Sequence, residues 1–135
     1  MVQNKKVLLE ESYVTIVHDL EDNIVYNYWK GFLKPEMIIE TAQRFMVMYK
    51  DIKCSKIYND NSQISGPWNG ASEWVKDVYF PYMIENGLKH FAWILSPSIF
   101  SEVSARQAMM ETDIIKPFKD HDKAIEWLRE VEELV

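Results

Sequence analysis

Hydrophobic and polar positions in the first part of the chain predict two strands and a helix. Residues 13–20 and 24–29 are rich in β-branched and aromatic side chains, and the polar residues between them suit a tight hairpin loop. From Pro35 to Asp51, apolar residues recur at helical spacing, and Pro35 occupies a favoured first helical position. The chain is therefore predicted to open with an antiparallel hairpin and an amphipathic helix.

The middle of the chain predicts a further strand and a further helix. Residues 54–59 predict a short strand, and the polar run 59–63 predicts a loop because it continues neither a strand period nor a helix period. Gly66 and Pro67 predict the start of a second helix, which Pro81 ends or kinks. The predicted buried stripe of this helix consists of Ala71, Trp74, Val75 and Val78.

The last part of the chain predicts two more strands and two more helices. Residues 90–95 are nearly all apolar, which is typical of a central strand, and Ser96-Pro97-Ser98 precedes a helix to about Met110. Residues 114–119 predict an edge strand because Pro117 cannot donate a ladder hydrogen bond. Asp120 or Asp122 caps the final helix.

This order of elements predicts an α/β fold in which an N-terminal hairpin is followed by βα units. The expected architecture is one domain over residues 1–135, with a largely parallel sheet of about five strands flanked by about four helices.

Composition and charge narrow the function classes. The chain has 135 residues, of which 47% are hydrophobic, and a net charge of −6, so it is predicted to fold and not to bind nucleic acid. No apolar run approaches the roughly 20 residues of a membrane-spanning helix, and the N-terminus does not resemble a signal peptide. With a single cysteine, Cys54, the protein is expected to be cytoplasmic.

The predicted loop after the first parallel strand is the most distinctive polar segment. Such loops hold ligands in α/β folds, so Asn59, Asp60, Asn61 and Trp68 are candidate binding residues. Ser62 and Ser65 precede the predicted helix, whose free N–H groups favour an anion, so both are candidate phosphoacceptors. The alternative is that the serines and asparagines only cap the helix and turn the chain.

Aromatic residues are concentrated around the two predicted ligand loops. The candidates for an apolar pocket are Tyr58, Trp74, Tyr79, Trp93 and Phe100. Aromatic side chains also dominate ordinary cores, so a structural role is the alternative.

The sequence gives little support for catalysis or metal binding. His18, His90 and His121 are too far apart in sequence to suggest a zinc pair, and we predict neither a metal site nor a cofactor. Ser96 with His90 or His121 is the one serine and histidine grouping that could serve a hydrolase.

Four stretches together carry a family resemblance. They are the polar turn 59–61 with Gly66, Pro67 and Trp68, residues 74–81 running into 87–89, the strand 91–93 before Ser96 and Pro97, and the closing residues 124–128. With these, the chain resembles the SpoIIAA-like, or STAS, domains, especially small stand-alone STAS/SEC14-type proteins of bacteria. The resemblance implies the SpoIIAA-like α/β fold.

The resemblance also implies two kinds of function. In anti-sigma-factor antagonists, a partner kinase phosphorylates a serine at the helix start and the phosphate breaks a protein complex; Ser62 and Ser65 lie in the matching region. SEC14-like members bind lipids or other apolar molecules. The leading hypothesis is a non-catalytic domain that binds a protein partner, and the alternative is a carrier or sensor of a small apolar ligand. A hydrolase comes third, and a homodimer is expected.

Overall fold

The structure, a computed structural model, describes residues 4–131 and is built on one six-stranded sheet. The strands lie in chain order: β1 (Lys5–Glu11), β2 (Val14–Asp19), β3 (Ile24–Gly31), β4 (Lys56–Ile64), β5 (His90–Ile94) and β6 (Ile115–Phe118). The first three strands pair antiparallel, and β3 to β6 pair in parallel. The predicted hairpin followed by a largely parallel α/β sheet is confirmed.

Helices cover the two faces of the sheet unequally. The first face carries α1 (Pro35–Ile52), a 3-10 turn (Asn69–Ala71), α2 (Ser72–Trp74), a π-helix (Val75–Tyr79), α3 (Phe80–Glu85) and α4 (Ile99–Ala108). The second face carries α5 (His121–Glu130), which packs on β4, β5 and β6 over a smaller apolar core. Within residues 4–131, no helix combines the length and apolar composition needed to cross a bilayer.

The strand β1 is an addition to the predicted architecture. The sequence pattern predicts no strand before residue 13, whereas β1 pairs with β2 along the edge of the sheet. The alternation of buried and exposed residues that marks a strand is hard to see in β1. Lys5, Lys6 and Val7 are all exposed, and a bulge between Val7 and Leu9 shifts the register.

The predicted loop over residues 59–63 is wrong, because β4 continues through this polar run to Ile64. Asn59 and Asn61 alternate inward along the strand and are buried, and hydrogen bonds between side-chain amides compensate for their lost hydration. Tyr28 pairs with Asp60 and Lys30 pairs with Gln63, so β4 gains one residue there in a bulge.

The second helix also differs from its prediction. Helical structure begins with the 3-10 turn at Asn69 and runs past Pro81 to Glu85. The π-helix ends at Tyr79, two residues before this proline, which has no N–H to donate to the preceding turn. The extra residue of the π turn rotates the buried stripe, so Tyr79 is buried in place of Val78, which is 42% exposed.

The last elements follow the sequence closely. Among the described strands, β6 with Pro117 pairs only with β5, as predicted for an edge strand. A carboxylate oxygen of Asp120 accepts hydrogen bonds from the backbone N–H groups of Asp122 and Lys123, which confirms Asp120 as the cap of α5. The helix α4 ends at Ala108, two residues before the predicted end.

Candidate functional site

A cavity of about 50 Å³ lies between the first face of the sheet and the helices that cover it. Alternate residues of β3 and β4 point into it, and aromatic side chains from the covering segments close it. The principal lining residues are Asn27, Trp29, Asn59, Asn61 and Trp93 from the sheet and Phe45, Trp68, Val75, Tyr79 and Phe80 from the covering segments. No charged side chain is among the described residues that line it.

A chain of hydrogen-bonded asparagines crosses the sheet side of the cavity. The Nδ2 group of Asn27 donates to Oδ1 of Asn59 at 3.3 Å, and the indole N–H of Trp29 donates to the same oxygen at 3.0 Å. The Nδ2 group of Asn59 in turn donates to Oδ1 of Asn61 at 2.9 Å. These bonds fix the orientation of all three amides in an otherwise apolar surrounding.

Three polar atoms of this lining have no hydrogen-bond partner within the described structure. They are Oδ1 of Asn27 and the indole Nε1 atoms of Trp68 and Trp93. The three residues are only 3%, 4% and 3% exposed, so bulk water does not reach them. Because an unpaired buried polar group costs about 1–3 kcal/mol, the cavity offers one acceptor and two donors that a bound molecule would satisfy.

The apolar walls consist mainly of aromatic rings in contact. The rings of Trp68 and Trp93 are stacked, with centroids 6.1 Å apart, and Phe80 packs against Trp93 at 5.6 Å and against Phe91 at 5.0 Å. Burial raises the pKa of the Tyr79 phenol above its ordinary value, so this wall stays neutral at physiological pH.

A glycine allows the chain to reach Trp68 from the end of β4. Gly66 has a positive φ of 82°, and a Cβ atom added there would lie 2.8 Å from the ring of Phe32. Any larger residue at this position would displace that ring or the segment that carries Trp68. The backbone N–H of Trp68 donates to Oγ of Ser104 at 2.9 Å, which ties the segment to α4.

The candidate pocket residues are divided between the cavity and other parts of the molecule. Trp93 and Tyr79 line the cavity, whereas Trp74 packs half-buried against the larger core outside it. Tyr58 lies on the second face of the sheet, beneath α5, because successive strand residues point to opposite faces. Phe100 is 65% exposed on α4 and does not line the cavity.

The candidate binding-loop residues divide in the same way. Asn59, Asn61 and Trp68 line the cavity and are buried, so they do not form an exposed protein-binding loop. Asp60 points to the second face, where its carboxylate accepts a hydrogen bond from the backbone N–H of Ser62 at 2.8 Å.

Neither candidate phosphoacceptor begins a helix. Ser62 is half-buried inside β4. Ser65 is exposed just after β4, and its backbone N–H donates to the carbonyl oxygen of Gly31 at 3.1 Å. Helical structure starts only at Asn69, so a phosphate on either serine would not meet the free N–H groups on which the prediction relied.

The serine and histidine grouping is not assembled. Ser96 is buried after β5, and its hydroxyl donates to the carbonyl oxygen of Ile64 at 2.7 Å. His90 begins β5, at the opposite end of that strand, and the Nδ1 atom of His121 meets the hydroxyl of Tyr58 at 2.5 Å. Across residues 4–131, no three side chains among His, Cys, Asp and Glu converge as a metal site would require.

Asn27 and Trp29 are cavity residues that the sequence reasoning did not single out. They follow Val25 at alternate positions of β3, so an asparagine in an inward-facing strand position was the available signal.

Comparison with known proteins bears on the fold. No protein-family model matches the chain, and no curated protein matches it. Among solved structures, the chain is similar to an uncharacterised DUF3478-family protein of Shewanella loihica that has a SpoIIAA-like fold. The likeness covers 95% of this chain and 96% of that one, with a TM-score of 0.51 and 19% sequence identity. Together with the order and pairing of the strands, this likeness shows that the chain has a SpoIIAA-like fold.

Proposed function

We propose that the protein binds a small, uncharged and mainly apolar molecule in the cavity between the sheet and its covering helices. The observation that carries this proposal is the presence of three unpaired, deeply buried polar atoms in a space otherwise walled by aromatic and aliphatic groups. In a core that serves folding alone, such atoms are expected to be paired. A ligand with one hydrogen-bond acceptor and one donor, such as a primary carboxamide, complements them.

Charge and size define the ligand further. A carboxylate or an ammonium ion is disfavoured because none of the described lining residues carries the opposite charge, and burying an unpaired charge is costly. A cavity of about 50 Å³ takes a compact molecule of a few heavy atoms. A larger ligand would require the side chains of Trp68 or Tyr79 to move.

Calorimetric titration with four small probes tests this proposal. Acetamide and benzamide carry both a donor and an acceptor, toluene offers only an apolar ring, and benzoate carries a charge. We expect one or both amides to bind more tightly than toluene, and benzoate not to bind. Absence of acetamide binding, or toluene binding as tight as that of the tighter amide, would contradict the proposal.

Three variants show whether the unpaired atoms make the contact. Trp68→Phe and Trp93→Phe each remove an indole N–H, and loss of its hydrogen bond should weaken acetamide binding by about two- to tenfold. Toluene binding should not become weaker, because the smaller phenyl ring leaves more apolar space. Trp127→Phe is the matched control, because Trp127 packs on the second face of the sheet. Equal effects of all three variants would assign the tryptophans a packing role.

A regulatory role through a protein partner is a second candidate, and the exposure of Ser65 supports it. In this case Ser65, not the half-buried Ser62, would accept the phosphate. Mass spectrometry of the protein after incubation with cell extract and ATP would show a phosphorylated Ser65 peptide. An unmodified peptide from a reaction in which control substrates are phosphorylated would reject this role.

A further inference from the structure

The second face of the sheet has an open groove that the proposed cavity function does not use. The helix α5 packs on β4, β5 and β6, so the same face of β2 and β3 is left without a covering element in the described structure. The groove beside α5 has a volume of about 730 Å³ and is bordered by these strands and by one side of the helix.

Tyrosine rings form the floor of this groove. Tyr26 and Tyr28 are stacked with centroids 6.1 Å apart and planes within 7°, and Tyr58 packs behind them at 5.3 Å and 6.1 Å. Tyr28 is 41% exposed, so part of its side chain is available to a partner. Burial, and to a smaller extent the negative charge of Asp22, raises the pKa of Tyr26 to about 12. Burial and the negative charge of Asp60 raise the pKa of Tyr28 in the same way. Both phenols are therefore neutral at physiological pH.

The rim of the groove is mainly acidic. Asp122, Glu126 and Glu130 line it from α5, and Asp19 lines it from β2. Among the described lining residues, Lys5 and Arg129 carry a permanent positive charge. Arg129 already forms a salt bridge at 2.9 Å with Asp22, which does not line the groove. The groove therefore presents electron-rich rings under a net negative rim, which favours a cationic partner.

The spacing of the acids favours an extended peptide. Residues four apart on a helix are separated by about 6 Å along its axis. Alternate residues of an extended chain are separated by about 6.6 Å. The row formed by Asp122, Glu126 and Glu130 thus matches basic side chains at every second position of a peptide that runs along α5.

We propose that this groove docks an extended segment of a partner protein that carries arginine at alternate positions, with one guanidinium group on the ring of Tyr28 and others facing the carboxylates of α5. Arginine suits both contacts because its planar cation stacks on aromatic rings and pairs with carboxylates. This face already contains a contact of the same kind, since Nζ of Lys116 lies 5.5 Å from the ring centre of Phe118.

Fluorescence anisotropy with a labelled Arg-Ser-Arg-Ser-Arg peptide tests the proposal. The control peptide replaces each arginine by citrulline, which keeps the shape and hydrogen-bonding groups but has no charge. We expect the arginine peptide to bind the full chain with an affinity that falls as salt is raised, and the citrulline peptide to bind at least tenfold more weakly. Equal binding of the two peptides, or no binding of either, would overturn the proposal.

Variants locate the binding. Tyr28→Leu and Glu126→Gln should each lower the affinity for the arginine peptide by about two- to fivefold. Glu73→Gln, which removes the same charge from an exposed position on α2, should leave binding unchanged. If Glu73→Gln weakens binding as much as Glu126→Gln, the peptide responds only to net charge and the groove is not its site. Trp93→Phe should bind the peptide as the wild type does, because it alters the other face of the sheet.

Discussion

At the scale of single residues, Trp29 and Trp93 line the same cavity but differ in what their indole N–H groups meet. The N–H of Trp29 donates to Asn59, and that of Trp93 has no partner in the described structure. Trp29→Phe should therefore lower the free energy of unfolding by about 1 kcal/mol more in the wild type than in an Asn59→Ala background, where the acceptor is missing, whereas Trp93→Phe should cost the same in both backgrounds. Urea denaturation of the single and double variants measures this coupling. Equal coupling of the two tryptophans to Asn59 would contradict the assigned hydrogen bond.

Tyr79 should make stability depend on alkaline pH. Its folded pKa is raised above the unfolded value of about 10. Above that pH the phenol ionises only in the unfolded chain, so its contribution to stability is present at lower pH and is lost as pH rises, by at most about 1.4 kcal/mol per pH unit.

The matched variant for this effect is Tyr79→Phe, which removes the titrating group and keeps the ring. Urea denaturation between about pH 9 and about pH 11 should give a shallower loss of stability for the variant than for the wild type. Other tyrosines with raised pKa values are common to both proteins, so only the difference in slope counts. Parallel slopes would mean that the Tyr79 phenol ionises as readily in the folded chain as in the unfolded one.

At the scale of elements, Asp120 determines where α5 begins. Its carboxylate accepts two backbone N–H groups of the first turn. We expect Asp120→Ala to lower the free energy of unfolding by about 0.5–2 kcal/mol and Asp120→Asn to lower it much less, because an asparagine oxygen also caps. Thermal unfolding followed by circular dichroism compares the variants. An equal loss in both would indicate that charge, not the cap hydrogen bonds, stabilises the helix.

The elements also show which sequence signals were sufficient. Regular periodicity and capping residues predicted α1, β5 and α5 because local preference and burial agree there. The prediction over residues 59–63 was wrong because polar residues that point into the core of the sheet were interpreted as a loop. Their burial depends on hydrogen bonds from Asn27 and Trp29, which are distant in sequence. The stripe of the second helix shifted by one residue because periodicity at 3.6 residues per turn assumes that no π turn intervenes.

At the scale of the whole molecule, position in the sheet should set local stability. β4 and β5 are flanked on both sides, whereas β1 and β6 each have one described neighbour. Hydrogen exchange followed by mass spectrometry should show slow exchange in β4 and β5 and faster exchange in β1 and β6. Protection of β1 equal to that of β4 would contradict this order and would indicate that another copy of the chain pairs along this edge.

The candidate site was predictable only in part for a reason that belongs to the whole fold. Sequence placed Asn59, Asn61, Trp68, Tyr79 and Trp93 among the candidates, and all five line the cavity. Tyr58 and Asp60 were grouped with them because they are adjacent in sequence, but the sheet separates adjacent residues onto opposite faces. Which face is closed by helices and which is left open depends on crossover connections between distant segments, and no local pattern reports it.

The most direct measurement of the central claim is the two-dimensional ¹H–¹⁵N spectrum of the five tryptophan indole groups with and without acetamide, which matches the size of the cavity. If the cavity binds a neutral polar molecule, the Trp68 and Trp93 signals should move together as acetamide is added, while the Trp127 signal stays in place. An unchanged spectrum at the highest acetamide concentration that leaves the protein folded, or movement of surface signals alone, would contradict the account.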